Sequence, residues 1–313
     1  MDPMTASLPA TEINAHYHSA EEMPELEDGS VRLAITSPPY WNLKRYGSET
    51  GEIGQEDYEG YLDRLHSVWA ECFRVVDEHG LLIVNVNSRR VAGRFYPLGM
   101  DIVQRMENWK LIQHAIWYIP NALPQPAKYI TRLFDHKFED LLIFAKNWEY
   151  EHHFRKARVP QKYRTADPRA HKKNPEGRCI GDVIRIPAYR PPTVKSMNYH
   201  VAAFPDELVY LMVSVFTEPG DLVLDPFLGS GTTLKVAKNT GRRGIGYEIN
   251  SDFQPLIEAR LDEPWQAPRF EDMDIITSAT SRPGMPNGRR RPKGQPNGSP
   301  PKGKQPGPAD PLF

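Results

Sequence analysis

The chain is short of cysteine, of long apolar runs and of net charge, and each shortage excludes something. Cys72 and Cys179 are the only thiols in 313 residues, too few for a disulfide framework or a four-thiolate zinc site. No apolar stretch reaches membrane-spanning length. The N-terminus lacks the basic-then-apolar pattern of a secretory signal, so the expected location is the cytoplasm. His152 and His153 are adjacent, with no second ligand pair at metal spacing, and no metal site is expected. The loop after the run Leu222–Leu224 lacks the lysine that a phosphate-cradling loop needs after its second glycine, because Thr232 follows Gly231.

What the chain does have is length and uneven charge. At 313 residues it can build one large α/β domain with a small insertion. The net charge of −1 hides an asymmetry: residues 1–80 hold 16 acids against 5 Lys/Arg, and residues 151–195 hold 12 Lys/Arg against 4 acids. That basic segment suggests a polyanion partner; an ordinary solvated surface is the other reading.

The chain is organised around Leu222–Val223–Leu224–Asp225–Pro226–Phe227–Leu228–Gly229–Ser230–Gly231–Thr232–Thr233. A strand-type run ends at an aspartate and enters a glycine turn, a helical segment follows (Leu234 to Asn239), and a second strand-like run, Ile245 to Ile249, carries Glu248. Glycines let backbone approach a ligand, amides sit at a helix start, and an acid on the next strand takes ribose hydroxyls. A ligand with ribose and carboxylate but no phosphate fits, and S-adenosylmethionine is one. A second buried run, Val31 to Thr36, passes into Ser37–Pro38–Pro39–Tyr40–Trp41, where two prolines stop the ladder and fix a rigid extended turn.

With both stretches in view the chain resembles the DNA amino-methyltransferases. Thr36–Ser37–Pro38–Pro39–Tyr40–Trp41 is similar to their catalytic motif in its cytosine-N4 form, and Asp225 to Thr232 to their cofactor motif. The catalytic motif comes first, the order of the family's beta class. The resemblance covers residues 12–262. It implies a Rossmann-like methyltransferase fold with a mostly parallel central sheet, helices on both faces, a circularly permuted motif order and a small DNA-recognition insertion. The expected segments are a catalytic half at 1–150, the insertion at 151–195, a cofactor half at 196–265, and a tail at 266–313 that is disordered from about residue 281. It also implies roles. Ser37, Pro38 and Tyr40 are catalytic, and Tyr40 and Trp41 stack on the target base. Asp225, Phe227, Gly229, Ser230, Gly231, Thr232, Glu248, His200, Phe204 and Pro205 hold S-adenosyl-L-methionine. Arg155, Lys156, Arg158, Lys162, Arg164, Arg169, Lys172, Lys173 and Arg178 meet duplex DNA. A cognate restriction endonuclease is the partner such a setting suggests, though nothing in this chain specifies one. An acid that contacts adenine in the family is replaced here by His18, which reads equally as a surface imidazole.

Between the motifs, Asn42 to Gln55 is a polar loop carrying Lys44, Arg45 and Tyr46. Apolar residues at three and four from Glu56 to Val76 predict an amphipathic helix with Cys72 on its packed face. His79–Gly80 is expected to end it, with strands at Leu81–Val86, Leu111–Ile119 and Phe138–Lys146 and a helix at Leu98–Trp109. Pro120 to Pro126, with Ile116–Trp117, resembles a base-pocket lining and reads equally as a proline-rich turn. Further helices are expected from Tyr199 to Phe216 and from Ser251 to Leu261. The strands ending at Thr36 and Asp225 should lie side by side at the sheet centre.

The chemistry follows from the amine. The exocyclic nitrogen of cytosine is a poor nucleophile, and acceptors on its two hydrogens localise its lone pair as attack proceeds; the Ser37 hydroxyl and Pro38 carbonyl are suited to this. The nearest rival is adenine N6, with the neutral Ser37 favouring cytosine. Cytosine C5 chemistry needs a Pro-Cys turn that is absent. An RNA or protein amide substrate, or a DNA-binding module without activity, are the remaining readings.

Overall fold

The computed structural model describes residues 12–41, 53–124, 126, 132–160, 176–199 and 203–275. In chain order its elements are β1 (Ile13–His16), β2 (Val31–Thr36), α1 (Tyr58–Val75), β3 (Val76–Val86), β4 (Arg89–Val91), β5 (Arg94–Tyr96), α2 (Leu98–Arg105), β6 (Lys110–Tyr118) and β7 (Phe138–Ala145). They continue with a 3-10 turn (Phe154–Ala157), β8 (Arg158–Val159), β9 (Arg178–Cys179), β10 (Val183–Arg185), α3 (Pro192–Ser196) and α4 (Asp206–Phe216). Then come β11 (Leu222–Asp225), α5 (Thr232–Asn239), β12 (Arg243–Tyr247), a second 3-10 turn (Ser251–Phe253), α6 (Gln254–Leu261) and α7 (Phe270–Met273).

Among the described residues eight strands form one sheet in the order β1-β12-β11-β2-β3-β7-β6-β10, in which β7 alone opposes its neighbours. Strands buried on both faces need apolar residues at every position, and β2 and β3 show it. Leu33, Ile35, Leu81 and Ile83 pack on one side with Leu208, Val209 and Met212 of α4. Ala34, Leu82 and Val84 pack on the other with Leu65, Val68 and Cys72 of α1. The mostly parallel sheet covered on both faces is therefore as expected.

Some element bounds differ from those expected. α1 ends at Val75 and β3 begins at the next residue, so His79–Gly80 does not terminate the helix. The pairing jumps from Val31↔Val76 to Leu33↔Leu81, and the residues between are accommodated as an irregularity. Gly80 is required there because a Cβ would sit 2.7 Å from the Arg32 carbonyl oxygen. The expected insertion at 151–195 also contains β10, which extends the main sheet beside β6, and Ala157, Val159, Ile184 and Ile186 are buried in the core under α4. The helix expected from Tyr199 starts only at Asp206. Residues 276–313, the 42–52 loop and the middle of the basic segment lie outside the described residues. No helix among the described residues is long and apolar enough to cross a membrane.

Candidate active site

β2 and β11 are neighbours at the centre of the sheet and end on the same edge, so the Ser-Pro-Pro-Tyr turn and the glycine loop face one crevice. That is where open α/β sheets bind ligands. Asp225 ties the two together. Its Oδ1 accepts from Thr36 Oγ1 at 2.7 Å and from the Phe227 amide at 3.1 Å, and its Oδ2 accepts from Thr233 Oγ1 at 2.6 Å. Asp225 is 1% exposed, and burial pushes its carboxyl up to about 6 against the pull of those three donors. The carboxylate is thus engaged inside the protein, where it ties the two loops together.

The glycine loop offers backbone to a ligand. Gly231, at φ 82°, caps α5 in the left-handed region, and a Cβ there would press on Ile257. Ser230 and Thr232 are buried; their hydroxyls lie 3.4 Å apart, and Thr232 Oγ1 accepts from Arg260. Their side chains are buried, so what this part of the loop offers to the crevice is backbone. Phe227 is half-buried, edge-on to Trp69. Glu248 stands one residue past β12, its Oε2 accepting from the Gly229 amide and its Oε1 from the Asn250 amide, both at 2.9 Å. A carboxylate has about four lone-pair sites, so the same group can hold the loop and still receive ribose hydroxyls. A glycine cradle without a following lysine, and a carboxylate at the next strand end, fit S-adenosylmethionine and do not fit a polyphosphate.

Beside this crevice a cavity of about 440 Å³ opens. Ser37 and Tyr40 form one side, and Asn85, Trp117, Glu139 and Phe204 are among its other walls. Ile119, Asn121, Ala122 and Leu123 also line it, so the Pro120 segment is part of the cavity rather than a remote turn. The turn is anchored from outside: Tyr61 Oη donates to the Pro39 carbonyl at 2.9 Å. Among the described residues none donates to the Ser37 hydroxyl or the Pro38 carbonyl. Trp41 does not join Tyr40. It is 8% exposed, packed on Tyr58 and Tyr96, and donates its indole N–H to the Glu56 carbonyl. The expectation that it stacks on the base is corrected, because the Tyr58 and Tyr96 rings and the Glu56 carbonyl hold it in the core.

Phe204 lines the cavity, and Pro205 caps α4 with its carbonyl; His200 lies outside the described residues. Glu139, Asn85 and Arg190 were missed by sequence reasoning. Glu139 Oε2 accepts from Tyr40 Oη at 3.1 Å and Asn85 Nδ2 at 2.8 Å, while burial raises its carboxyl above the usual range. Arg190 stands at the lip, donating to the Tyr199 and Val194 carbonyls.

Of the nine expected DNA contacts, Lys162, Arg164, Arg169, Lys172 and Lys173 lie outside the described residues. Lys156 pairs with Glu218 at 2.6 Å and Arg178 with the buried Asp274 at 2.5 Å, so these two clamp the segment to the body. Arg155 is exposed and Arg158 half-buried. His16, His18 and Glu25 bring three donor atoms within 4.8 Å of one another, the spacing of a metal triad. In this structure they bond each other and Tyr247: His18 Nε2 lies 3.0 Å from Glu25 Oε1, and Tyr247 Oη donates to Oε2. Burial acts against charging His18, and its bond to Glu25 overrides this and raises it.

A permuted Rossmann-like sheet with a glycine cradle, a ribose-type acid and an adjoining Ser-Pro-Pro-Tyr cavity defines a methyltransferase of amino groups. The comparisons agree. Residues 31–259 match the DNA methylase family of N6 and N4 methyltransferases, and the chain belongs to that family. It is 30% identical over 287 residues to the type II methyltransferase M.MjaI of Methanocaldococcus jannaschii, covering 78% of this chain and 89% of that one. It is 31% identical over 268 residues to M.XycI of Xanthomonas campestris pv. cyanopsidis, covering 75% and 83%. The PvuII DNA methyltransferase (cytosine-N4-specific) shares the fold at TM-score 0.64, with 20% identity over 82% of this chain and 89% of that one. A DNA modification methylase from Thermus thermophilus, solved with S-adenosyl-L-methionine, superposes at TM-score 0.54, with 28% identity over 80% and 95%. The protein is an S-adenosylmethionine-dependent DNA methyltransferase.

Proposed function

We propose that the chain methylates the exocyclic N4 of a cytosine turned out of duplex DNA into the cavity beside Ser37. The observation that carries this reading is the neutral Ser37 at the cavity wall, one residue after the Thr36 that bonds Asp225 of the cofactor motif, with no donor to its hydroxyl among the described residues. Bound S-adenosylmethionine supplies an electrophilic methyl group. Glu248 and the Gly229–Thr232 backbone hold it, and Phe227 closes over its methionine end. Ser37 Oγ and Pro38 O accept hydrogen bonds from the amino group, so that the lone pair localises as the nitrogen becomes tetrahedral and attacks the methyl carbon. The S–C bond breaks, S-adenosylhomocysteine leaves as a neutral thioether, and the methylated nitrogen gives up one proton to solvent. Tyr40 stacks on the base and offsets part of the few kcal/mol lost on unstacking. Positioning does much of the rest. The described cations Arg155 and Arg158, with the undescribed ones of the same segment, contact phosphates. A cognate restriction endonuclease is the companion that a type II setting suggests.

Adenine N6 is the second reading, since adenine presents the same amino geometry. Mass spectrometry of nucleosides from DNA incubated with the protein and S-adenosylmethionine decides between them. N4-methylcytosine is expected, and N6-methyladenine alone would transfer the assignment to the rival.

A further inference from the structure

We infer that Glu139 is the positioning residue of the target-base cavity, acting through Tyr40. The inference rests on the methyl-transfer reading and adds to it a residue outside the catalytic and cofactor motifs quoted above.

Glu139 lies near the start of β7, opposite Trp117 of β6, and its neighbour Asp140 lies opposite Val86 of β3. Because β7 is antiparallel, its beginning meets the ends of β3 and β6. The side chain therefore emerges at the edge where the Ser-Pro-Pro-Tyr turn leaves β2. There it lines the cavity together with Ser37 and Tyr40. Three donors converge on its carboxylate: Tyr40 Oη at 3.1 Å and Asn85 Nδ2 at 2.8 Å on Oε2, and Asn87 Nδ2 at 3.4 Å on Oε1. A carboxylate taken out of water costs free energy unless such donors replace the water. Holding an acid here serves no packing purpose that an apolar side chain would not serve better, and its effect is to fix what donates to it.

What it fixes is the plane on which the base rests. Tyr61 Oη holds the backbone of the turn through the Pro39 carbonyl, from the α1 side. Glu139 holds the phenol from the β7 side. Two anchors on different elements determine where the Tyr40 ring lies relative to Ser37. An error of about 1 Å in such a placement can cost on the order of a hundredfold in rate. The role needs an acceptor at Oε2, and it does not need a negative charge.

That distinction makes the test. Methyl transfer from labelled S-adenosylmethionine to heterogeneous duplex DNA is measured for wild type, Glu139→Met, Glu139→Gln, Tyr40→Phe and Glu139→Met/Tyr40→Phe, with kcat and KM resolved and cofactor affinity taken by calorimetry. Glu139→Met should lower kcat by about tenfold or more, with cofactor affinity within about twofold of wild type. Glu139→Gln should recover most of the loss, because its amide oxygen still accepts from Tyr40 and Asn85. The double variant should be no slower than Glu139→Met alone, since that change already removes the bond that Tyr40→Phe breaks. Three results overturn the inference: wild-type kcat in Glu139→Met, a Glu139→Gln as slow as Glu139→Met, or single effects that multiply. A urea-unfolding cycle over the same variants reads the Tyr40–Glu139 bond without substrate, and additive stabilities there would also overturn it. A wild-type protein that transfers no methyl to DNA, with that coupling intact, instead removes the methyl-transfer reading and the role built on it.

Discussion

Asp225 ends β11 and Ser37 follows the end of its neighbour β2, and their environments assign them opposite work. Asp225 is sealed, with donors from Thr36, Thr233 and the Phe227 amide, whereas Ser37 faces the cavity. Replacing Ser37 by Ala should lower turnover roughly tenfold to a hundredfold, on the scale of removing one preorganised polar contact to developing charge. Cofactor affinity by calorimetry should stay unchanged; an unaltered turnover would take Ser37 out of the reaction. Asp225→Asn tests the buried carboxyl through pH. The folded carboxyl is raised from 3.8 to about 6, so the folded state holds the proton more tightly than the unfolded chain. The stability this contributes is full below about pH 4 and is lost as pH rises through about 6. It amounts to about 3 kcal/mol at 1.36 kcal/mol per unit. The amide does not titrate, so the stability of Asp225→Asn relative to wild type should rise by that order between about pH 4 and pH 7. Urea unfolding across that range measures it, and a flat difference would mean that burial exacts no penalty there.

At the scale of elements, the parts read correctly from sequence are those whose burial is set locally. β2, β11 and α1 carry apolar patterns that a strand in the sheet centre or a covering helix must have, and the two loops are punctuated by Pro-Pro and Gly-Ser-Gly. The misread parts depend on partners remote in the chain. Trp41 follows Tyr40 directly, and only the packing of Tyr58 and Tyr96 decides that it turns into the core. Glu139 sits in an ordinary strand and gains its meaning from Tyr40, 99 residues away. β10 is three residues inside a basic stretch, too short to show a period. Behind the glycine loop a buried charge cluster joins three helices, equally invisible in sequence. Lys235 of α5 meets Asp206 of α4 and Glu263 just past α6, each at 2.6 Å, and Arg260 of α6 meets the same two acids. Lys235→Met leaves two buried acids sharing one cation. It should destabilise the protein by roughly 3–5 kcal/mol, the cost of breaking a buried pair from one side. Urea unfolding measures this, and a loss under about 1 kcal/mol would show the cluster to be screened by water.

For the whole molecule, the sheet order explains how a permuted chain makes one site. Thr36 and Asp225 are 189 residues apart and hydrogen-bonded, because strand order and not chain order places the two loops. Residues Met1–Thr280 group as one compact unit, and within it lie all three buried clusters, on both sheet faces and between α5 and α6. Residues 281–313, by contrast, are rich in Pro and Gly and carry seven Lys/Arg against Asp310 alone. Such a composition cannot bury enough apolar surface to offset its chain entropy. A chain ending at Thr280 should therefore unfold at the same urea midpoint as the full chain and keep its base specificity. Its affinity for non-specific duplex DNA should fall at low salt. The log–log salt slope should shrink by at most about six units, the limit reached if all seven cations release counterions. A tail that never meets DNA would leave the slope unchanged. Salt titrations of both chains on one scrambled duplex separate these outcomes. Loss of cooperative unfolding in the shortened chain would show instead that the tail docks on the folded unit and contributes to its stability.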